Sequence, residues 1–273
     1  ESVPAGETIR FHVSSQVPYR FGVSKLGLRV DDRASDETIL PADKESPSRV
    51  QSIYPGSYVR VTNGLPADAE LTALTLECWV RPWKLKPWQG ILTQHDYPDN
   101  CGYGLFLDVE GRAVFSIGSG AAYDRDSLVT GPKLSHRQWH HLVGVWDGAT
   151  KTAAIWVDGK RAVKRQALNN LSPRKAGPAE LRIGAYSERG VAGRFFDGDI
   201  AMPAIYKRAL SADEISGRLA ERGLKSPDLK DPALAAFWPL NEERGSKVAD
   251  ASGNHRGGEI VNLGTWMIGG PSF

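Results

Sequence analysis

The sequence predicts an all-β protein, an antiparallel two-sheet β-sandwich with one short helix near residues 211–222. Three observations predict it. Apolar and polar residues alternate with a period of two in many short runs, turn residues separate the runs at short intervals, and the chain contains 29 Gly and 17 Pro. The alternating runs are ETIRFHVS, YRFGVSKLGLRV, SYVRV, LTLECWV, YGLFLDV, RAVFSIG, HHLVGVW, KTAAIWVDG, ELRIGAY and DIAMPAIY.

The stretch VWDGATKTAAIWVDGKRAV contains the clearest turns. Asp147-Gly148 is expected to begin a turn between two strands, and Asp158-Gly159 to form the tip of a tight hairpin. Both turns are expected to need residues that accept a positive φ, which Gly and Asp tolerate better than most.

The one predicted helix lies in SADEISGRLAERG. Ser211 is a suitable N-cap, and Glu214 follows three residues later, which together make a capping box. Ile215 and Leu219 supply an apolar stripe, and Gly223 is a typical helix end.

The predicted organisation is a β-hairpin extension with its loop over residues 1–50 and a sandwich over residues 51–273. The polar segment Asp31–Pro47 interrupts the alternation and is expected to be a long loop. Near the C-terminus, residues Leu234–Leu263 again show two strand-like runs around the turn-rich ADASGN. We expect this segment to complete the sandwich, because the two ends of a jelly roll lie close in space.

Charge excludes several classes of partner. The chain has 34 Lys and Arg against 32 Asp and Glu, a formal net charge of +2, so neither nucleic acid nor an anionic membrane is expected as a partner. No apolar run is long enough to cross a bilayer. Cys78 is predicted to face the core and Cys101 to lie in a loop. Two unpaired thiols are favoured, which indicates a reducing compartment and hence the cytoplasm. The alternative is one disulfide, if the two strands lie side by side.

A set of ordered segments carries a family resemblance. The segments are GSYVRV, LTLECWVRPW, GILTQ, YGLFLDVEGRAVFSIG, WHHLVGVWDG, AIWVDGK, LRIGAY and FFDGDIAMPAIYKRALSADEI. Together, from Gly56 to Ile215, they resemble a laminin-G-like, or concanavalin A-like, module. The resemblance implies two antiparallel sheets in a jelly roll.

A second resemblance covers both ends of the chain. GETIRFHVSS, YRFGVSKLGLRV and VADASGN…GEIVNLGTW, with the sandwich between them, are similar to the N-terminal part of the large subunit of N,N-dimethylformamidase-like amidohydrolases. That resemblance implies a separate catalytic domain with a mononuclear iron site C-terminal to this segment. It therefore implies a non-catalytic accessory domain that packs on the catalytic domain, binds another subunit or supports oligomerisation.

The alternative is a stand-alone lectin-like module that binds a glycan or a protein. It rests on the fold class, since sandwiches of this kind often bind sugars.

No catalytic residue is predicted. Retaining glycosidases need two carboxylates about 5–5.5 Å apart, and the sequence has no Glu-x-Asp motif; Asp197 and Asp199 can share a strand face, but no Glu follows them. No Gly-x-Ser-x-Gly elbow is present. His140 and His141 are adjacent on one strand and face opposite ways, so one is expected to be packed and the other to lie on the surface.

Calcium is the best cofactor candidate for this chain. Asp250, Ser252 and Asn254 supply oxygen atoms at alternate positions of a loop, which suits a hard cation. The alternative is a turn in which these side chains bond the backbone. Laminin-G-like modules commonly place an acidic calcium ligand in the closing strand, where this chain has Ala201.

Tryptophan residues mark a candidate binding surface. Trp83 and Trp88 lie in a Pro-rich loop, VRPWKLKPWQG, with Arg81 beside them. Exposed Trp can stack on sugars or anchor a protein interface. We predict these three residues as a ligand-binding or interface site.

Overall fold

The computed structural model describes residues 8, 11, 13–25, 27, 33–50, 56–65, 71–84, 88–97, 99–119, 128–166, 179–219 and 226–266. The chain forms two compact units, Glu1–Tyr54 and Pro55–Phe273. No helix among these residues is long and apolar enough to span a membrane.

The first unit contains four short strands and one turn of 3-10 helix. Two antiparallel pairs form, one between β1 and β4 and one between β2 and β3. The elements are β1 (Tyr19–Arg20), β2 (Val23–Lys25), the 3-10 turn (Arg33–Ser35), β3 (Glu37–Leu40) and β4 (Glu45–Ser46).

The prediction of a long loop over Asp31–Pro47 is therefore wrong, since this segment contains the 3-10 turn and two strands. Every residue of β3 is exposed. Because neither face of the strand is buried, its sequence ETIL lacks the alternation by which strands are recognised. Half of the predicted strand ETIRFHVS lies outside the described residues.

The second unit is a β-sandwich with one short helix. Its first eight strands are β5 (Tyr58–Val61), β6 (Ala73–Pro82), β7 (Gln89–Tyr97), β8 (Cys101–Leu107), β9 (Arg112–Ser119), β10 (Leu128–Lys133), β11 (His140–Asp147) and β12 (Thr152–Val157). The remaining elements are β13 (Lys160–Gln166), β14 (Leu181–Ile183), β15 (Tyr186–Glu188), β16 (Val191–Gly193), β17 (Gly198–Tyr206), α1 (Ala212–Gly217), β18 (Leu234–Phe237), β19 (Lys247–Val248) and β20 (Gly258–Val261).

The strands form two sheets, which confirms the predicted sandwich class. The six-stranded sheet has the order β13-β12-β11-β6-β17-β18. The ten-stranded sheet has the order β10-β9-β8-β7-β14-β5-β20-β19, with β15 and β16 attached beside β7. Pairing is antiparallel except between β15 and β7. The C-terminal segment thus contributes β18 to one sheet and β19 and β20 to the other.

The main core lies between the sheets and follows from the alternation in each strand. In β6, Leu74, Leu76, Cys78 and Val80 face inward and are fully buried, as predicted for Cys78. Cys101, in contrast, is not in a loop. It is the first residue of β8 and is 7% exposed.

Two hairpin turns illustrate different uses of glycine. Asp158 and Gly159 have φ of 50° and 69°, which confirms the prediction for that turn. At Asp147-Gly148 the predicted turn between β11 and β12 is present, but the residue with a positive φ, 53°, is Lys151. Gly148 serves close approach: its N–H donates to the Thr72 carbonyl at 2.9 Å, and a Cβ would lie 2.3 Å from that oxygen.

Helix α1 begins as predicted and ends early. The capping box of Ser211 and Glu214 is present in both directions. The helix ends at Gly217 rather than near residue 222, because the N–H groups of Arg218 and Leu219 bond the carbonyls three residues back and so tighten the last turn. Gly223 lies outside the described residues.

Candidate functional site

A small cavity lies on the outer face of the ten-stranded sheet; we call it the outer-sheet pocket. Its volume is about 200 Å³. Its lining residues are Trp88, His95, Tyr97, Phe106, Ser116, Leu128, Tyr186 and Arg194.

Strand alternation places the floor of this pocket. In β8, Leu105 and Leu107 belong to the main core, so Phe106 between them faces outward. In β9, Phe115 and Ile117 belong to the core in the same way, and Ser116 faces outward between them. The pocket is therefore built on the side of the sheet opposite the core.

Aromatic rings form the walls of the outer-sheet pocket around Phe106. The Phe106 ring packs edge-to-face with Trp88, His95 and Tyr186, with centroid distances of 6.5, 5.4 and 5.7 Å. Such edge-to-face pairs stabilise a fixed ring arrangement. Trp88 has a positive φ of 45°.

His95 is the buried titratable group of the pocket, with 4% of its surface exposed. Burial lowers its pKa to about 4, against the opposing effects of the Asp96 carboxylate and the Asn100 side chain. At neutral pH the imidazole is therefore uncharged, with one nitrogen a donor and the other an acceptor.

A second feature, which we call the Trp83 surface, consists of Arg81, Trp83, Trp139 and Asp199. One carboxylate oxygen of Asp199 accepts hydrogen bonds from Arg81 Nε at 2.7 Å and from Trp83 Nε1 at 2.6 Å. The Arg81 guanidinium lies 5.8 Å from the Trp83 ring centroid and 5.2 Å from that of Trp139. Trp83 is 50% exposed, so the surface presents a fixed indole to solvent.

The structure therefore brings two of the three predicted interface residues together. Arg81 and Trp83 share Asp199 at the end of β6, whereas Trp88 belongs to the outer-sheet pocket. The sequence pattern did not predict a site at His95, Phe106, Ser116 or Tyr186. A signal existed only for Phe106, a large aromatic residue at an outward strand position in YGLFLDV.

The loop predicted to hold calcium is organised around Asp250. Its Oδ1 accepts hydrogen bonds from the N–H groups of Phe237 at 3.1 Å and Ser252 at 2.9 Å, and its Oδ2 accepts one from the N–H of Arg256 at 2.9 Å. Although burial opposes it, these bonds and the Ser252 side chain hold the pKa of Asp250 below its usual value.

Asn254 also bonds the protein rather than the loop centre. Its Nδ2 donates to Ser252 Oγ at 3.1 Å and to a main-chain carbonyl of β18 at 2.9 Å. Ca²⁺ takes about six to eight oxygen ligands, and the oxygens that Asp250 and Ser252 would supply already accept N–H groups. Calcium binding stays a prediction, and the geometry favours the alternative of a backbone-bonded turn.

His140 and His141 bond different partners, as expected for neighbours on a strand. His141 Nε2 lies 2.8 Å from Glu77 Oε1, and His140 Nδ1 lies 2.9 Å from Asp158 Oδ2. The expectation that one of them lies on the surface is wrong. Both are buried, because the hairpin turn at Asp158 covers the His140 ring.

These carboxylates are engaged in structural contacts. The Glu77 carboxylate also lies 3.3 Å from Arg218 Nε, and Asp199 is paired with Arg81. Within the ranges given above, no cluster of three or more His, Cys, Asp or Glu could hold a metal ion.

Comparisons with known proteins agree with this fold. The chain is 27% identical to N,N-dimethylformamidase beta subunits of Paracoccus aminophilus and of an Alcaligenes species, over 96% of this chain. It spans 38% of the length of each of these relatives.

One solved structure shares the fold at low sequence identity. It is a Bacteroides ovatus protein described as carbohydrate-binding, which matches with a TM-score of 0.57 and 13% identity over 83% of this chain and 65% of its own. A family model matches residues 55–216, more than half of the sequence. The chain belongs to the concanavalin A-like lectin/glucanases superfamily.

Proposed function

We propose that the chain is a non-catalytic accessory domain of an amidohydrolase of the N,N-dimethylformamidase type. The observation that carries the proposal is its similarity to two dimethylformamidase beta subunits over 96% of this chain but only 38% of theirs. In this proposal the catalytic domain, and any iron that it binds, lies outside the chain. The partners are that domain and other subunits of the assembly.

The contacts that two acidic side chains make within the fold support a non-catalytic role. A general acid or base needs a carboxyl group within reach of substrate and of its proton. Glu77 is 5% exposed and held by His141 and Arg218, and Asp199 is held by Arg81 and Trp83. Both are therefore arranged to hold the fold rather than to reach a substrate.

The Trp83 surface is the proposed contact with the catalytic domain or a neighbouring subunit. Trp and Arg are the residues most enriched at the energetic centres of protein interfaces. Here the indole is half exposed, and its N–H is already bonded to Asp199. A fixed, exposed aromatic ring loses little side-chain entropy when a partner covers it.

A cytoplasmic location is part of the same proposal. Cys78 and Cys101 are both buried, and they lie in different sheets. Buried thiols that are not placed side by side suit a reducing compartment.

The first test is catalytic. We expect the purified 273-residue chain to hydrolyse no N,N-dimethylformamide, as measured by release of dimethylamine. Turnover that persists through repurification would contradict the proposal. The intact mass of the protein from its native source should exceed the 29.8 kDa of this chain.

The second test concerns assembly. We expect Trp83→Ala, introduced into the whole protein that the native source produces, to weaken subunit association at least tenfold. Analytical ultracentrifugation measures the association. Val109→Ala is the matched control, because Val109 is 53% exposed and apolar but lies outside the Trp83 surface. Equal association of both variants would remove the Trp83 surface from the proposal.

A stand-alone glycan- or protein-binding module is the second candidate function. It is favoured by the exposed Trp83 ring beside the Arg81 guanidinium, since an indole face can stack on the C–H face of a sugar. A glycan array separates the candidates: binding that Trp83→Ala abolishes, in a protein whose native mass equals that of this chain, would favour the second.

A further inference from the structure

We propose that the outer-sheet pocket is a specific binding site for a compact, uncharged ligand with an apolar face and a head group that both donates and accepts hydrogen bonds. Either a sugar ring, through its hydroxyl groups, or a small carboxamide has this chemistry. This site is separate from the Trp83 surface and does not depend on the accessory role proposed above.

Two polar side chains in the outer-sheet pocket are buried without a hydrogen-bond partner in the described part of the chain. His95 and Ser116 both line it and are 4% and 1% exposed. Neither His95 ring nitrogen nor the Ser116 hydroxyl has a partner in hydrogen-bond geometry among the described residues, although the Asn100 side chain lies near enough to His95 to raise its pKa. A buried polar group left without a partner is unfavourable, so a ligand that bonds these atoms relieves that cost on binding.

The donors and acceptors of these two side chains determine which head group can bind. A neutral imidazole offers one donor and one acceptor, and a hydroxyl group offers a donor and acceptor lone pairs. The matching head group must therefore both give and take hydrogen bonds. Hydroxyl and carboxamide groups do so, whereas a carboxylate or a phosphate only accepts.

The walls of the pocket are apolar and mostly aromatic. Trp88, Phe106, Tyr186 and Leu128 surround the polar floor with apolar surface. Such a wall packs against the C–H face of a sugar or against the hydrocarbon part of an amide. An aromatic enclosure with a few convergent polar groups is the usual composition of a small-molecule site.

Charge and size restrict the ligand further. Arg194 lines the pocket, and its Nε lies 3.7 Å from the Glu188 carboxylate, so its positive charge is balanced by the protein itself. The pocket, at about 200 Å³, is smaller than the ~300–1,000 Å³ typical of drug-sized ligands. It suits a compact, uncharged molecule such as one sugar ring or a benzamide.

The experiment is a titration of the ¹⁵N-labelled chain at pH 7, followed by the imidazole signals of His95. The signals are assigned by their loss in His95→Phe. One arm uses methyl β-D-glucopyranoside and methyl β-D-galactopyranoside, and the other uses benzamide and N-methylbenzamide. We expect saturable shifts of the His95 signals in one arm, and the arm that responds identifies the source of the ligand.

Variants test whether the shifts report the pocket. Ser116→Ala should weaken binding at least fivefold, and Leu128→Trp, which fills the pocket from its wall, should abolish it. Ser135→Ala, an exposed serine outside the pocket, should bind as the parent does. Thermal melting verifies that each variant folds.

Two results would overturn the proposal. One is the absence of saturable His95 shifts in both arms at every concentration up to the solubility of each probe. The other is binding that Ser116→Ala and Leu128→Trp leave unchanged. Trp83→Ala should leave the titration unaffected, so a failure here is distinct from a failure of the accessory role.

Discussion

One carboxylate oxygen of Asp250 accepts a hydrogen bond from the backbone N–H of Phe237 at 3.1 Å. The other oxygen bonds the N–H of Arg256 at 2.9 Å. Through this side chain the C-terminal loop is fixed to strand β18, which is the edge strand of the six-stranded sheet.

We predict that Asp250→Ala lowers the free energy of unfolding by about 2–3 kcal/mol, because it leaves several partly buried N–H groups without an acceptor. Urea denaturation measures the change. Ser252→Ala, in the same loop, should cost less than about 1 kcal/mol. Equal losses for both variants would contradict the central role of Asp250.

Calcium should leave the melting temperature unchanged. The oxygens of Asp250 and Ser252 already accept N–H groups, so the loop offers Ca²⁺ few ligands. Differential scanning calorimetry with CaCl₂ and with EDTA measures the effect. A rise with Ca²⁺ that Asp250→Asn abolishes would instead establish the calcium site formed by Asp250, Ser252 and Asn254.

Acid should destabilise the protein through His95. In the unfolded chain this histidine takes up a proton near pH 6.5, whereas burial holds its pKa in the folded protein at about 4. Between these values the unfolded state binds more protons, so stability falls as the pH falls from 6.5 to 4. The full effect is about 3 kcal/mol.

The measurement is the free energy of unfolding of parent and variant at several pH values. His95→Phe should lose this part of the pH dependence, and His136→Gln, at an exposed turn position, should keep it. A parent and a His95→Phe variant with parallel profiles would show that His95 does not cause the dependence.

Packing between the two sheets should be sensitive to a larger side chain in place of Gly144. A Cβ at this position would lie 2.3 Å from the Phe115 ring, so we expect Gly144→Ala to cost about 1–3 kcal/mol through overpacking. Gly193→Ala is the control, because no atom lies within 4 Å of its added Cβ. Adding Phe115→Leu to Gly144→Ala should recover part of the lost stability. Thermal denaturation measures the stability of each variant.

The class of the fold and several local structures were predictable from the amino-acid sequence. Period-two alternation identified the main strands because one face of each is buried, as with Leu74, Leu76 and Cys78 in β6. The Asp158-Gly159 turn and the Ser211–Glu214 capping box were also predictable, because both depend on residues that are neighbours in the chain.

Tertiary structure alone decided the sites. Alternation shows that Phe106 and Ser116 face away from the core, but not that Trp88 and Tyr186 enclose them. Likewise Arg81 and Asp199, which are 118 positions apart, meet only because β6 pairs with β17. The order and register of strands depend on contacts between distant residues, so the sequence indicates which way a side chain points, and only the folded sheets determine what it meets.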